Sequence, residues 1–218
     1  MSKFRRVMCF LLSVVAFACL LPLPGAAQEI ALASEAAVLM DAKSGQILYG
    51  KNMDSTMYPA SITKVLTGLL ALKYAKETDK VTMTQAGVSQ VPRTSSHIAL
   101  EPGEAFTMKD ALYALALVSA NDAAVGFLTY FGAISYEMPA TNLSAARPLV
   151  SKNQFIDGTF DCPGLLMSKT GWTSSALGTL VTAVKRGDTT LIAVTLKSPM
   201  LEDKYTDTLA LLDYGFAN

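Results

Sequence analysis

Three short stretches of this 218-residue sequence combine residue types that can carry out acyl transfer: Ser61-Ile62-Thr63-Lys64, Ser119-Ala120-Asn121 and Lys169-Thr170-Gly171. A serine hydroxyl is a weak nucleophile until a base removes its proton. On a helix, residues three apart share a face, so Lys64 can lie beside the Ser61 hydroxyl. A serine at a helix start also has unpaired backbone N–H groups and the positive end of the helix dipole beside it, which favours developing negative charge. Lys64 can act as base only where its charge is disfavoured, because a free lysine titrates near ~10.4. Desolvation and a second cation would do this, and Lys169 is the candidate for that cation. Ser119 offers a proton-relay hydroxyl, and Asn121 an amide that both donates and accepts. Lys169 and Thr170, on an edge strand, can meet a substrate carboxylate, while Gly171 lets one backbone approach another. The backbone N–H groups of Ser61 and Trp172 are placed by sequence to hold a tetrahedral oxyanion.

Each stretch taken alone has an ordinary explanation. A Ser-x-x-Lys is more often a helix cap with a solvated lysine, Ser119 and Asn121 suit a turn, and Lys169 to Gly171 suit a basic turn. All three in this order, on compatible elements, outweigh those explanations. The side chain of Trp172, the sole tryptophan, fits either the core or a substrate wall. Cys162 has only His97 as a possible imidazole partner and stands beside Pro163 and Gly164, so it is expected to be a buried or incidental thiol. No metal and no cofactor is expected.

The elements that must position these residues follow from periodicity. Ala37 to Met40 and Gln46 to Tyr49, separated by Asp41-Ala42-Lys43-Ser44-Gly45, predict a β-hairpin. The apolar residues Ile62, Val65, Leu66, Leu69, Leu70 and Leu72 recur at helical spacing to Tyr74, with Ser61 at the N-terminus of that helix. Strand character around Val81 to Thr84 and loop composition from Pro92 to Gly103 follow. Thr107 to Leu117 is helical, and Asn121-Asp122-Ala123-Ala124 opens a short helix reaching about Phe131. Gly132 to Gly164 keeps no period and is expected to be mostly loop with one short strand. Leu177 to Val184 and Leu191 to Leu196, joined by Lys185-Arg186-Gly187-Asp188, predict a second hairpin, and Lys204 to Tyr214 a closing amphipathic helix. Strands at both ends with helices between them predict an α+β fold whose terminal segments build one antiparallel sheet.

Lys3, Arg5 and Arg6, an apolar run from Val7 to Leu21, and Pro22 to Ala27 have the form of a secretory signal peptide cleaved near Ala27. The run is shorter than the ~20 residues that span a bilayer. Domains are therefore expected at 1–27 (signal peptide) and 28–218 (one catalytic-type domain), with an exported, extracytoplasmic location. Removal of residues 1–27 leaves 191 residues and 15 basic against 18 acidic side chains, a formal charge of −3. Nucleic acid is not an expected partner. Cys9 and Cys19 leave with the signal, so no intramolecular disulfide can form.

The segments Tyr58 to Lys64, Ser119 to Ala124 and Lys169 to Thr173 resemble the low-molecular-mass penicillin-binding proteins, the serine D-alanyl-D-alanine carboxypeptidases. Leu100 to Glu104, Asp110 to Leu115, Ala145 to Leu149 and Leu212 to Phe216 are similar to stretches of the same family. The resemblance implies a serine β-lactamase and penicillin-binding-protein-like fold, and attack by Ser61 on the terminal D-Ala-D-Ala bond of peptidoglycan stem peptides. It implies Lys64 as base, Ser119 as relay, Asn121 as organiser, and Lys169 with Thr170 as carboxylate binders, with β-lactams as trapping ligands. Two departures stand out. The interval from Asn121 to Lys169 is several dozen residues shorter than expected of active members, so the helical subdomain is expected to be reduced. The family also continues past the point where this sequence ends, into a β-rich domain and an amphipathic membrane anchor. One alternative is a degenerate member that acylates or binds but turns over poorly. A β-lactamase is the weaker alternative, since Glu137, Asp157 and Asp161, the acidic residues between the second motif segment and Lys169, lie in no Glu-x-x-Leu-Asn motif.

Overall fold

Residues Leu177–Arg186 and Thr189–Ser198 are rich in Thr, Val, Leu and Ile, whose branched side chains pack well on a pleated surface. In the computed structural model, which describes residues 30–92, 94–120 and 131–218, they are the hairpin strands β8 and β9 of a five-stranded antiparallel sheet. The other strands are β1 (Ala36–Asp41), β2 (Ile47–Lys51) and β7 (Leu165–Thr173), in the order β2-β1-β9-β8-β7. The β1–β2 hairpin closes through Asp41, whose N–H donates to the Gln46 carbonyl at 2.9 Å. Both predicted hairpins are present, and terminal segments build the sheet of an α+β fold. Residues Leu32–Asn218 make one unit, and residues 1–31 a separate one of which only Ile30 and Ala31 are described.

Helix α4 (Asp203–Ala217) lies on the sheet and buries Tyr205, Leu211 and Leu212 completely or nearly so. Each such side chain contributes about 1.5–3 kcal/mol of burial free energy. The approach is close enough to require a glycine. A Cβ at Gly215 would stand 2.5 Å from Leu39 Cδ2 and 2.7 Å from Leu191 Cδ1. The buried Asp207 carboxylate accepts from the backbone N–H groups of Ala33 (3.1 Å) and Ser34 (2.6 Å), fastening the lead-in segment to this helix.

Helix α3 (Met108–Val118) is buried almost all round. Thr107 caps it, its hydroxyl accepting from the Asp110 N–H while the Asp110 carboxylate accepts from the Thr107 N–H. Such reciprocal capping contributes about 0.5–2 kcal/mol. Leu112 and Leu115 pack with Met167 and Ala183 of the sheet. Ala111, Ala114 and Leu117 pack with Phe106, Met138 and Leu149, which belong to two small antiparallel ladders. These are β3 (Lys80–Thr82) with β4 (Ala105–Thr107), and β5 (Ser135–Met138) with β6 (Arg147–Val150). An ion pair between fully buried Glu104 and Arg147 ties the ladders together.

Three local expectations change. The Gly132–Gly164 region holds two paired strands where one was expected, because pairing with each other lets even four-residue strands satisfy their backbone groups. A five-residue helix, α2 (Gln85–Ser89), occupies a stretch with no apolar period and is started by Thr84, whose hydroxyl accepts from the Gly87 N–H at 3.0 Å. Helix α1 covers Lys64–Tyr74, so Ser61 precedes it in a 3₁₀ turn (Ala60–Thr63). The signal segment and the helix expected from Asn121 lie outside the described residues.

Candidate active site

Ser61 is positioned by the 3₁₀ turn and by strand β7. Ala60 takes a left-handed backbone (φ 49°), and the Thr179 hydroxyl of β8 donates to the Pro59 carbonyl at 3.0 Å, pinning the turn to the sheet. A 3₁₀ turn has three residues per turn, so residues i and i+3 eclipse. Lys64 accordingly reaches back over Ser61, its Nζ donating to Ser61 Oγ at 3.1 Å. Lys64 is only 8% exposed although it opens α1, and this burial lowers its pKa.

Strand β7 brings the third motif to the same place. Lys169 is 3% exposed, and its Nζ donates to the Thr170 carbonyl at 2.9 Å. Burial first, and the nearby charge of Lys64 second, bring its pKa down to about 7. Burial thus shifts both amines toward neutrality, and the neighbouring charge of Lys64 adds to the shift of Lys169. Gly171 is the contact point between strand and turn. A Cβ there would lie 2.4 Å from Thr179 Oγ1, 2.8 Å from the Ser61 backbone N and 3.1 Å from Ala60 Cβ. The Trp172 backbone follows directly, pairing with Gly178. Its side chain is 58% exposed and lines the cleft, which excludes the core alternative.

Ser119 stands at the C-terminal end of α3 in a left-handed conformation (φ 56°, ψ 35°). A non-glycine residue there carries about 1–3 kcal/mol of backbone strain. Its buried hydroxyl has no hydrogen-bond partner among the described residues and lines the same cleft. Asn121 lies outside the described residues. The cleft, about 280 Å³, thus gathers Ser61, Ser119, Lys169, Thr170, Gly171 and Trp172. Among the described residues it has no acidic lining, and Glu137, Asp157 and Asp161 are exposed elsewhere. Cys162 is buried away from the cleft, and burial pushes its thiol up to about 11, leaving it unreactive.

One residue of the cleft escapes the motif reading. Lys204, 5% exposed, lines it from the first turn of α4, its Nζ 4.9 Å from the Tyr205 ring centroid, with burial lowering its pKa. A signal for it existed. A lysine in the first turn of a helix opposes the helix dipole, so a local reason for it is missing.

The D-alanyl-D-alanine carboxypeptidase family, peptidase S11, matches residues 24–133 of this chain. The D-alanyl-D-alanine carboxypeptidase DacF of Bacillus subtilis is 34% identical over 130 residues, covering 57% of this chain and 33% of its own length. The D-alanyl-D-alanine carboxypeptidase DacA of Haemophilus influenzae is 28% identical over 240 residues, covering 83% of this chain and 61% of its own. The chain therefore spans about a third of the first relative and less than two thirds of the second. Among solved structures, the D-alanyl-D-alanine carboxypeptidase of Mycobacterium tuberculosis superposes with a TM-score of 0.77 at 23% identity, covering 89% of this chain and 96% of that one. A Streptomyces K15 DD-transpeptidase variant gives 0.76 at 20% identity, covering 87% and 100%. At such identities the superpositions establish the fold. The family match spans half of the sequence and takes in both the Ser61–Lys64 turn and the Ser119 corner, and the chain belongs to the D-alanyl-D-alanine carboxypeptidase family.

Proposed function

We propose that this chain is a serine-type D-Ala-D-Ala carboxypeptidase acting on peptidoglycan stem peptides in the cell envelope, after export directed by residues 1–27. The observation that carries the reading is the 3.1 Å bond from Lys64 Nζ to Ser61 Oγ, where Ser61 lines one cleft with a buried Lys169 and with no acidic residue among the described lining. Such a cleft suits a peptide ending in a carboxylate. Ser61 Oγ attacks the carbonyl carbon of the terminal peptide bond while its proton passes to Lys64 Nζ. The C–N bond then breaks, D-alanine leaves with that proton on its amine, and the peptide remains as an ester on Ser61. Water hydrolyses the ester and restores the hydroxyl. The backbone N–H groups of Ser61 and Trp172 hold the oxyanion, and Ser119 relays protons with Asn121 as organiser. A substrate carboxylate against Lys169 and Thr170 keeps Lys169 protonated, and its charge then drives Lys64 toward the neutral base. β-Lactams acylate the same serine.

Fluorescent penicillin should label the mature protein covalently, and Ser61→Ala should abolish the label. Persistent labelling of the variant would sink the nucleophile assignment. A second reading, acylation with slow turnover, is favoured by the internal shortening. The Haemophilus alignment runs over 240 positions but takes in only about 181 residues of this chain (83% of 218). Leu66, Leu69 and Leu70 correspondingly lie exposed on the outer face of α1. Strong labelling combined with a kcat well below about 1 s⁻¹ on a D-Ala-D-Ala peptide selects it. The β-lactamase alternative finds no support in the acidic residues, which lie away from the cleft.

A further inference from the structure

The cleft does not end at its catalytic wall. A second trough of about 320 Å³ adjoins it, and Ser96, Val118 and Lys152 line both. Lys152 therefore stands where the two meet. It is exposed, and no carboxylate pairs with it among the described residues. The other cation of the trough, Arg147, is already committed, since its guanidinium binds the buried Glu104 carboxylate and reaches Met138 Sδ. That leaves Lys152 as the trough cation that can take an incoming anion.

The neighbouring residue supplies a second, independent observation. Asn153 is 5% exposed and lines the cleft. Its Oδ1 accepts from the Phe155 N–H at 3.1 Å, which fixes the amide so that Nδ2 points the other way. There Nδ2 meets no acceptor among the described residues. A buried N–H donor left unpaired is costly, and natural structures rarely keep one without a use. The loop that carries both residues is tied down on either side of them. The Ser151 N–H donates to the Ile134 carbonyl at 2.9 Å, and the Gln154 N–H to the Tyr205 hydroxyl at 3.1 Å.

We infer that Lys152 and Asn153 form a subsite for the acyl side of the substrate, taking a carboxylate carried upstream of the bond that is cut. Lys152 supplies the charge and Asn153 Nδ2 a hydrogen-bond donor, while the terminal carboxylate occupies the Lys169 end of the cleft. This rests on the carboxypeptidase reading above and adds a specificity to it: acidic donor peptides over neutral ones.

The test uses N-acylated D-Ala-D-Ala peptides that differ only in one upstream side chain, Glu, Gln or Lys. Acyl-enzyme formation on each is followed by mass spectrometry, and cleavage by D-alanine release, for the wild type, Lys152→Gln and Lys152→Glu. The wild type should prefer the Glu peptide over the Gln peptide about two- to fivefold, as an ion pair at a solvent-facing site gives. Lys152→Gln should bring that ratio to one, and Lys152→Glu should turn it toward the Lys peptide. All three proteins should react equally with a penicillin whose acylamino side chain carries no carboxylate. An unchanged ratio across the three proteins overturns the subsite. Equal losses on all peptides overturn it as well, because Lys152 would then hold the terminal carboxylate or the fold. Failure of the wild type to acylate with either peptide or penicillin would instead remove the parent reading, and the subsite with it.

Discussion

Replacing Lys169 by methionine should make the protein more stable and inactive, and the gain should depend on pH in a defined way. Lys169 is held at a pKa of about 7 in the folded chain, against 10.5 for the free side chain. Between those values the unfolded chain binds a proton that the folded chain does not, so stability rises with pH across that window. Below about pH 7 both states are protonated, and the folded state bears the full cost of a buried charge. A difference of about 3.5 units at 1.36 kcal/mol per unit makes that cost on the order of 5 kcal/mol at most, with water in the cleft reducing it. Lys169→Met removes the charge and keeps the length of the side chain. Urea denaturation of wild type and variant at pH 6, 8 and 10 isolates the effect, because every other group titrates in both proteins. The variant should be the more stable by more than about 1 kcal/mol at pH 6, and the gap should narrow steadily to pH 10. Part of the cost is repulsion from Lys64, so Lys64→Met should raise the Lys169 pKa and shrink the gain from Lys169→Met in the double variant. A gap that does not change with pH, or a wild type that is the more stable at pH 6, would refute the reasoning.

Two further outcomes follow from the geometry. Lys64→Ala should slow penicillin acylation by at least about 10²-fold while leaving the initial non-covalent affinity nearly unchanged, since proton transfer and not recognition is lost; stopped-flow separation of the two steps decides it, and weakened binding at a normal acylation rate would make Lys64 a charge anchor. Gly171→Ala should cost about 10²-fold or more in acylation, because the new Cβ must displace the Ser61 backbone and Thr179 from 2.8 Å and 2.4 Å, and an active site tolerates less than ~1 Å of misplacement; normal labelling kinetics in the variant would show that the strand and turn have room to separate.

Much of this architecture is legible in the chain because local and long-range preferences agree. The hairpins of β1 with β2 and β8 with β9 announce themselves by apolar runs around short polar connections, and the Thr107–Asp110 capping box marks where α3 begins. What escapes depends on partners remote in sequence. Four-residue strands such as β5 and β6 have no period of their own and exist because they pair with each other and cover α3. Ser119 looks like any helix-ending serine until the buried C-terminus of α3 forces it into a left-handed backbone with an unpaired hydroxyl. The motif spacing brings Ser61 and Lys64 together through a 3₁₀ turn, which ordinary helical spacing describes only approximately. The same reasoning works in reverse for Lys204. A lysine opposing a helix dipole, buried beside Tyr205 and facing a cleft that already holds Lys169, breaks both the local and the burial rules at one position. Positions that break both rules are expected at functional sites. In the carboxypeptidase reading proposed above, the substrate carboxylate is the anion that a cleft lined by Lys169 and Lys204, without acidic neighbours among the described residues, would accept.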